Sequence, residues 1–425
     1  MQKSFPVLSA AVAACILVST ACAPAAGTDA QASPAPQPTM VVEPAVQPVQ
    51  PAAPDSQPAE PTQELSDNVS SAVLDRLAAM TLQEKVGQLF FVRPDALDPA
   101  QTQEQINDAN AAGVTELTDE MNAMLAKYPV GGVVLFGKNI TDPQQLDDFT
   151  GALHASMDTP LLIGIDEEGG SVARLANHNA FDLPRYESAT AVAAEGENAV
   201  RQMYQTIGGY LDSYGIDLDF APDADVNTNP DNPIIGTRAF SDNPQTASRM
   251  VTAAVAGFEE RHVLCCIKHY PGHGDTAEDS HKALAVTHKT WAELEACELL
   301  PFRAGIQAGT DLVMVGHIAA PEVTGNDVPA SLSPQLVGSL RGELDYAGAI
   351  VTDSLAMEGI TDQYSAGEAA VLAIQAGVDI LLMPNGLSEA FDAVVAAVEN
   401  GTIAESRIDA SAARVLSLKE KRGLI

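Results

Sequence analysis

The segment Lys268-His269-Tyr270-Pro271-Gly272-His273-Gly274 is followed, after four residues, by Asp279-Ser280-His281. A basic pair at the end of an apolar run, then proline and glycine, describes a loop folded over a site. Asp279 stands two residues before His281, so in a loop its carboxylate can bond one imidazole nitrogen and fix the tautomer. The other nitrogen is then available as a general acid or base. Histidine suits that work because its ordinary pKa, about 6.5, lies near neutral pH. Two other readings stay open here. His281 can be a structural histidine in a polar loop, or His269, His273, Asp279 and His281 can hold a metal, although none of the usual zinc spacings is met.

A second candidate group is Asp353, in Val351-Thr352-Asp353-Ser354-Leu355-Ala356-Met357-Glu358-Gly359. It closes an apolar run, which would present its carboxylate at a strand end. As a carboxylate aimed into a pocket it is a candidate nucleophile; as an N-cap of a following helix it is structural. Position alone leaves the two readings even.

Both groups need elements to carry them. Short apolar, β-branched runs recur at Val86–Val92, Gly132–Phe136, Leu161–Ile165, Ile216–Ala221, Val263–His269, Leu312–Ile318, Ala349–Asp353 and Asp379–Pro384. Between them lie amphipathic or alanine-rich stretches such as 143–157, 190–213, 245–261, 291–308 and 366–376. Apolar strands alternating with helices imply a parallel sheet covered by helices. Eight such units predict an α/β fold, a (β/α)8 barrel of the TIM type, for which roughly 250 residues or more is usual. The competing fold is a doubly wound open sheet, but no glycine-rich dinucleotide fingerprint follows the first strand. Asp166-Glu167-Glu168, Asp223 and Asp225, Lys268-His269, His317 and Asp353 all fall at the C-terminal ends of predicted strands. That rim is the catalytic face of such barrels.

The N-terminal region reads differently. Residues 1–22 have the pattern of an export signal: Lys3, an apolar run from Phe5 to Val18, then Ser19-Thr20-Ala21 before Cys22. Small residues ahead of a cysteine predict a bacterial lipoprotein acylated at Cys22, with Cys15 as the alternative. The apolar run is shorter than the roughly 20 residues a membrane span needs. Residues 23–64, rich in Pro, Ala and Gln, predict an extended tether. The single catalytic body is then 65–425, placed outside the cytoplasm and anchored to the membrane by lipid. A net charge of −35 argues against nucleic acid as a partner. Of five cysteines, Cys265, Cys266 and Cys297 belong to the body; the first two sit in an apolar run and read as small core residues.

Residues 268–281 and 350–360 resemble the signatures of glycoside hydrolase family 3, in its β-N-acetylglucosaminidase branch. The resemblance runs from Thr81-Leu82-Gln83-Glu84-Lys85-Val86-Gly87-Gln88-Leu89 to Arg407-Ile408-Asp409, Leu416 and Lys419. It implies that Asp353 is the nucleophile and that His281, paired with Asp279, is the acid/base. It also implies sugar-binding roles for Asp166 in Ile165-Asp166-Glu167-Glu168-Gly169-Gly170, for Arg174, for Arg238 in Ile235-Gly236-Thr237-Arg238-Ala239-Phe240, and for Lys268 with His269. Arg174 and Arg238 also have a plain reading as surface ion-pair partners. The sequence departs from the family pattern at Ser171, where Arg is usual, and at Glu167, where Gln is frequent. The implied reaction is retaining hydrolysis of terminal β-linked N-acetylglucosamine from peptidoglycan or chitin-type saccharides, with no cofactor or metal. A β-glucosidase, a β-xylosidase and a phosphorylase remain alternatives within the family. A metal-dependent barrel hydrolase and a saccharide-binding lipoprotein without turnover are alternatives outside it.

Overall fold

The computed structural model describes residues 69–277 and 284–425. The signal segment 1–22 with Cys22, the tether 23–64, and Asp279 and His281 lie outside the described residues.

Eight strands make one parallel sheet: β1 Phe90–Val92, β2 Gly132–Leu135, β3 Leu162–Ile165, β4 Leu218–Asp219, β5 Leu264–Tyr270, β6 Leu312–Val315, β7 Ala349–Thr352 and β8 Leu381–Leu382. Neighbours follow chain order, β8 pairs with β1, and a bridge between Val351 and Ile380 joins β7 to β8. The sheet therefore closes into the expected barrel. Side chains alternate between two apolar layers, as the two-residue period of a strand requires. Phe91, Leu162, Leu218, Leu264, Cys266, Ala349 and Val351 pack inside the barrel. Phe90, Ile163, Cys265, Ile267, Val313 and Ile350 face the surrounding helices. Both cysteines are buried core residues, as expected.

Several element boundaries differ from the sequence reading. The run at Ile216–Ala221 keeps only Leu218–Asp219 as strand, and 291–308 is two helices, Trp291–Ala296 and Leu299–Gln307. Two further cases have a clear local cause. The expected first strand begins only at Phe90, because Leu82–Gln88 is a helix. Thr81 and Glu84 form a capping box there, satisfying two backbone donors and committing the segment to helix. The stretch 190–213 is two helices, Ala189–Glu195 and Glu197–Ser213, divided at Gly196 with φ 103°.

The C-terminal helix Glu405–Lys421 seals the lower end of the barrel, placing Val415 and Leu418 against the interior layer. Aspartates at the starts of three strands meet its cations. Asp217 pairs with Arg422, Asp311 with Lys421, and Asp379 with Arg407 and Arg414. Each also accepts a backbone N–H from the adjacent strand: Ile163 to Asp217, Cys265 to Asp311, Ile350 to Asp379. Stability is thus concentrated at the end of the barrel opposite the polar rim.

Candidate active site

Strand parity decides which rim residues face inward. On β3, Leu162 points inside, so Asp166 does too; on β7, Ala349 and Val351 point inside, so Asp353 does too. In a ring of eight, β3 and β7 are four strands apart. Asp166 and Asp353 therefore come from opposite sides of one mouth. Lys268 and His269 are adjacent, and strict alternation would part them. The register of β5 against β6 shifts between Ile267 and Tyr270, and both side chains turn into the same cavity. Such irregularities re-aim side chains beside active sites.

The cavity measures about 420 Å³ and is lined by Asp166, Arg174, Arg238, Lys268, His269 and Asp353, together with Glu168 and His273. Its size suits a small-molecule site. Val134, Phe220, Met314 and Leu382 form the apolar wall below. All six described members of the expected site thus converge.

Their polar atoms form one lattice. Lys268 Nζ lies between Asp166 Oδ1 at 2.9 Å and Glu168 Oε1 at 2.7 Å. Arg174 Nη2 donates to Asp166 Oδ2 at 3.2 Å. Arg238 grips Glu168 with two parallel bonds, Nε to Oε2 at 2.9 Å and Nη2 to Oε1 at 2.7 Å. Burial alone would raise both carboxyl pKa values. For Asp166, Lys268 and Arg174 outweigh burial and hold it well below the usual range. For Glu168, Arg238 and Lys268 hold it at about 2. Both stay ionised as hydroxyl acceptors. The arginines are ion-paired, as their plain reading had it, but at the cavity wall.

Glu168, absent from the expected binding set, is the hub of this lattice. Its neighbour Glu167 turns away: Oε1 accepts from Tyr210 Oη and the Ala176 N–H, and Oε2 from the Leu175 N–H. The departure at Glu167 is thus a matter of holding the hairpin Glu167–Gly169/Val172–Ala173, not of the cavity. Glycine is required in that turn, where Gly169 and Gly170 have φ of 86° and 62°.

His269 Nδ1 faces Asp225 Oδ2 at 2.7 Å. Burial, reinforced by Arg238, lowers its pKa to about 4, so the ring is neutral near pH 7. Burial also lowers His273 to about 4; its Nδ1 is 2.6 Å from Thr276 Oγ1. Burial pushes both Asp223 and Asp225 up to about 7, Asp223 additionally through Asp225 beside it. Asp223, Asp225 and His269 bring ligand atoms within 4.8 Å of one another, a geometry open to a cation, but here Asp225 is bonded to the ring nitrogen.

His317 was expected at the rim but does not line the cavity. It is fully buried, with Nδ1 2.8 Å from Ser331 Oγ and Nε2 2.8 Å from the Ser354 carbonyl. It braces the turn after Asp353. Asp353 itself caps no helix: its Oδ1 accepts the Ser354 N–H at 2.7 Å, and the next helix, Glu358–Thr361, is entered from Met357.

The chain leading to Asp279 and His281 is pinned on both flanks. Asn232 Nδ2 donates to the carbonyls of His273 and Thr276 at 2.8 and 3.0 Å. Beyond the segment, Ala285–Val286 pairs in parallel with Ile318–Ala319. A Cβ at Gly274 would collide with the Val226 carbonyl, so the loop passes where only glycine fits.

The chain is similar to several known proteins. A β-hexosaminidase A of Pseudoalteromonas piscicida is 34% identical over 337 residues, 73% of this chain and 56% of that protein. A β-hexosaminidase of Stenotrophomonas maltophilia is 36% identical over 289 residues, 66% of this chain and 84% of that protein. The solved glycoside hydrolase family 3 β-N-acetylglucosaminidase of Paenibacillus sp. is 38% identical with a TM-score of 0.73, covering 81% of this chain and 63% of that one. The chain thus spans just over half of the first relative and under two thirds of the solved one. Residues 81–418 match the glycosyl hydrolase family 3 N-terminal domain, and the chain belongs to that family.

Proposed function

We propose that this chain is a retaining, exo-acting β-N-acetylglucosaminidase with Asp353 as nucleophile and His281, oriented by Asp279, as acid/base. The observation that carries the reading is Asp353 facing, across one cavity, a lattice whose far carboxylate is Asp166. A single sugar ring fits between an attacking group and an array of hydroxyl acceptors and donors. The hexosaminidase relatives support an N-acetylated sugar at that place.

In the first step, imidazolium His281 gives its proton to the glycosidic oxygen while an Asp353 oxygen attacks the anomeric carbon. The C1–O bond breaks, the alcohol leaves, and a glycosyl ester forms. In the second step neutral His281 takes a proton from water. The hydroxide oxygen attacks C1, and Asp353 departs as carboxylate with configuration retained. A neutral base avoids placing another negative charge beside Asp353 in that step. Asp166, Glu168, Lys268, Arg238, Arg174 and neutral His269 hold the ring's hydroxyls. The substrate class is a terminal β-linked N-acetylglucosamine on a peptidoglycan or chitin-type fragment.

A panel of aryl β-glycosides with and without the 2-acetamido group tests this. Wild-type turnover should favour the N-acetylated member and vanish in Asp353→Ala; turnover close to wild type in that variant sinks the assignment. The same reading places the enzyme outside the cytoplasm on a lipid anchor at Cys22, supported by the leader-like residues 1–22. Cys22→Ala should move the activity from the membrane to the soluble fraction, and an unchanged distribution, or release by Cys15→Ala instead, removes Cys22 as the anchor.

A further inference from the structure

Beside the active-site cavity lies a second one of about 380 Å³, and the two share Arg93, Asn107, Phe136 and Arg174 as walls. It opens over the segments that follow β1, β2 and β3, on the part of the rim away from Asp353 on β7. A sugar whose anomeric carbon lies at Asp353 points its C4 and C6 end toward Asp166 on the opposite side. The second cavity therefore receives what is attached to that far end.

Its chemistry is cationic in a strongly acidic chain. Arg93 Nη1 donates to the Ile106 carbonyl at 2.8 Å and to Asn107 Oδ1 at 3.3 Å. The Arg93 guanidinium carbon sits 4.6 Å, and that of Arg174 5.3 Å, from the centroid of the same Phe136 ring. The Nε of each arginine is buried with no hydrogen-bond partner among the described residues. Arg93 also has no carboxylate within ion-pair distance among the described residues, although the chain carries 57 acidic groups against 22 basic ones. Neighbouring Lys138, by contrast, is matched by Asp95 at 3.5 Å and by backbone carbonyls. Asp95 and Asp166 act on Arg93 only from beyond ion-pair distance. A guanidinium with no carboxylate bonded to it favours an oxyanion, which its planar fork binds through paired bonds.

We propose that this cavity is a subsite for an oxyanion ester, sulfate or phosphate, carried at O6 of the terminal sugar, with Arg93 and Arg174 as its ligands. The exocyclic methylene at C6 supplies the reach past the ring. The orientation rests on the assignment of Asp353 as nucleophile.

The test compares 4-methylumbelliferyl β-N-acetylglucosaminide with its 6-sulfate and 6-phosphate, on the full chain and on Arg93→Gln. The ratio of kcat/KM for ester over unsubstituted sugar should fall about tenfold or more in the variant. The two ester arms show which oxyanion is taken. An unchanged ratio overturns the subsite, as does wild-type enzyme that cleaves the unsubstituted sugar and neither ester. Isothermal titration of the wild-type chain with N-acetylglucosamine and its 6-sulfate and 6-phosphate reads the subsite without turnover. Tighter binding of an ester supports it even if no glycoside is cleaved, in which case the hydrolase reading alone fails. Affinities equal to or weaker than the plain sugar overturn it.

Discussion

His269 Nδ1 lies 2.7 Å from Asp225 Oδ2, while Asp225 Oδ1 accepts the backbone N–H of His273 at 2.6 Å. One carboxylate from the loop after β4 thus sets both the ring and the chain of the loop after β5. With His269 neutral at working pH, its proton belongs on Nδ1, facing the carboxylate. Nε2 is left as an acceptor, 3.4 Å from Arg238 Nη2. Asp225 does not line the cavity, so the role we infer for it is positioning, through the His269 ring and the His273 backbone.

Asp225→Asn tests that role. The amide keeps the shape but turns an NH2 toward one of the N–H groups the carboxylate accepts. That loss costs about 1–3 kcal/mol, the range for a buried donor left unpaired. The expected outcome is a Tm lower by several degrees and a kcat reduced at least about tenfold, with KM changed less. A kcat equal to wild type would remove Asp225 from the mechanism, whatever the melting curve shows.

Lys268→Met probes the lattice itself. Among the described residues, Lys268 is the one cation bonded to both Asp166 and Glu168. Removing it leaves buried Glu168 and half-buried Asp166 facing each other with only their arginines, and breaking a buried pair this way costs about 3–5 kcal/mol. Denaturant unfolding should register most of that loss, and kcat/KM should fall by at least about a hundredfold. Lys268→Arg should not restore activity, because a planar fork cannot occupy a point between two acids as an ammonium does.

His317→Ala separates bracing from binding. The histidine is fully buried, and its loss strands the Ser354 carbonyl and Ser331 hydroxyl without their ring partner. We expect about 2–3 kcal/mol of destabilisation. We also expect a fall in kcat of about tenfold with nearly constant KM, since the Asp353 turn loosens while the sugar-binding lattice stays intact. A change confined to KM would contradict the bracing role. His317→Gln, which can donate to the same carbonyl, should recover part of kcat.

The sequence carried the barrel because each strand is a continuous apolar run ending in a polar residue, a signal that needs no partner to be read. The inward rim residues Asp166, Lys268 and Asp353 followed from the same count. What it could not carry were relationships across strands. Glu168 gains its place only because Arg238 and Lys268 arrive from other units, and Asp225 only because β4 lies beside β5. His317 and Glu167 looked like rim groups by position, yet the fold turned both into the protein, where backbone and hydroxyl partners awaited them. The first strand was overcalled because Val86–Leu89 runs directly into the apolar Phe90–Val92 and reads as its continuation, whereas the cap at Thr81 commits 82–88 to helix.

The lower end of the barrel gives a pH prediction. Asp379 is fully buried, which alone would raise its pKa, but Arg414, Arg341 and Arg407 outweigh burial and hold it well below the usual range. Arg341 Nη2 lies at 2.6 Å and Arg414 Nη1 at 3.1 Å, and Ser411 Oγ donates at 2.6 Å. A carboxyl whose folded pKa is depressed stabilises the fold fully above its unfolded value of about 3.9, and that contribution fades as pH falls toward the folded value. Asp379→Asn removes the contribution, so at pH 7 it should lower stability by about 3–5 kcal/mol. The gap in Tm between wild type and variant should be constant from pH 7 to about 5, then narrow steadily below about 4. The titrations of His269 and His273 are common to both proteins and cancel in the difference. A gap that stays constant to pH 2 would show that Asp379 acts through shape and hydrogen bonds alone, without its charge.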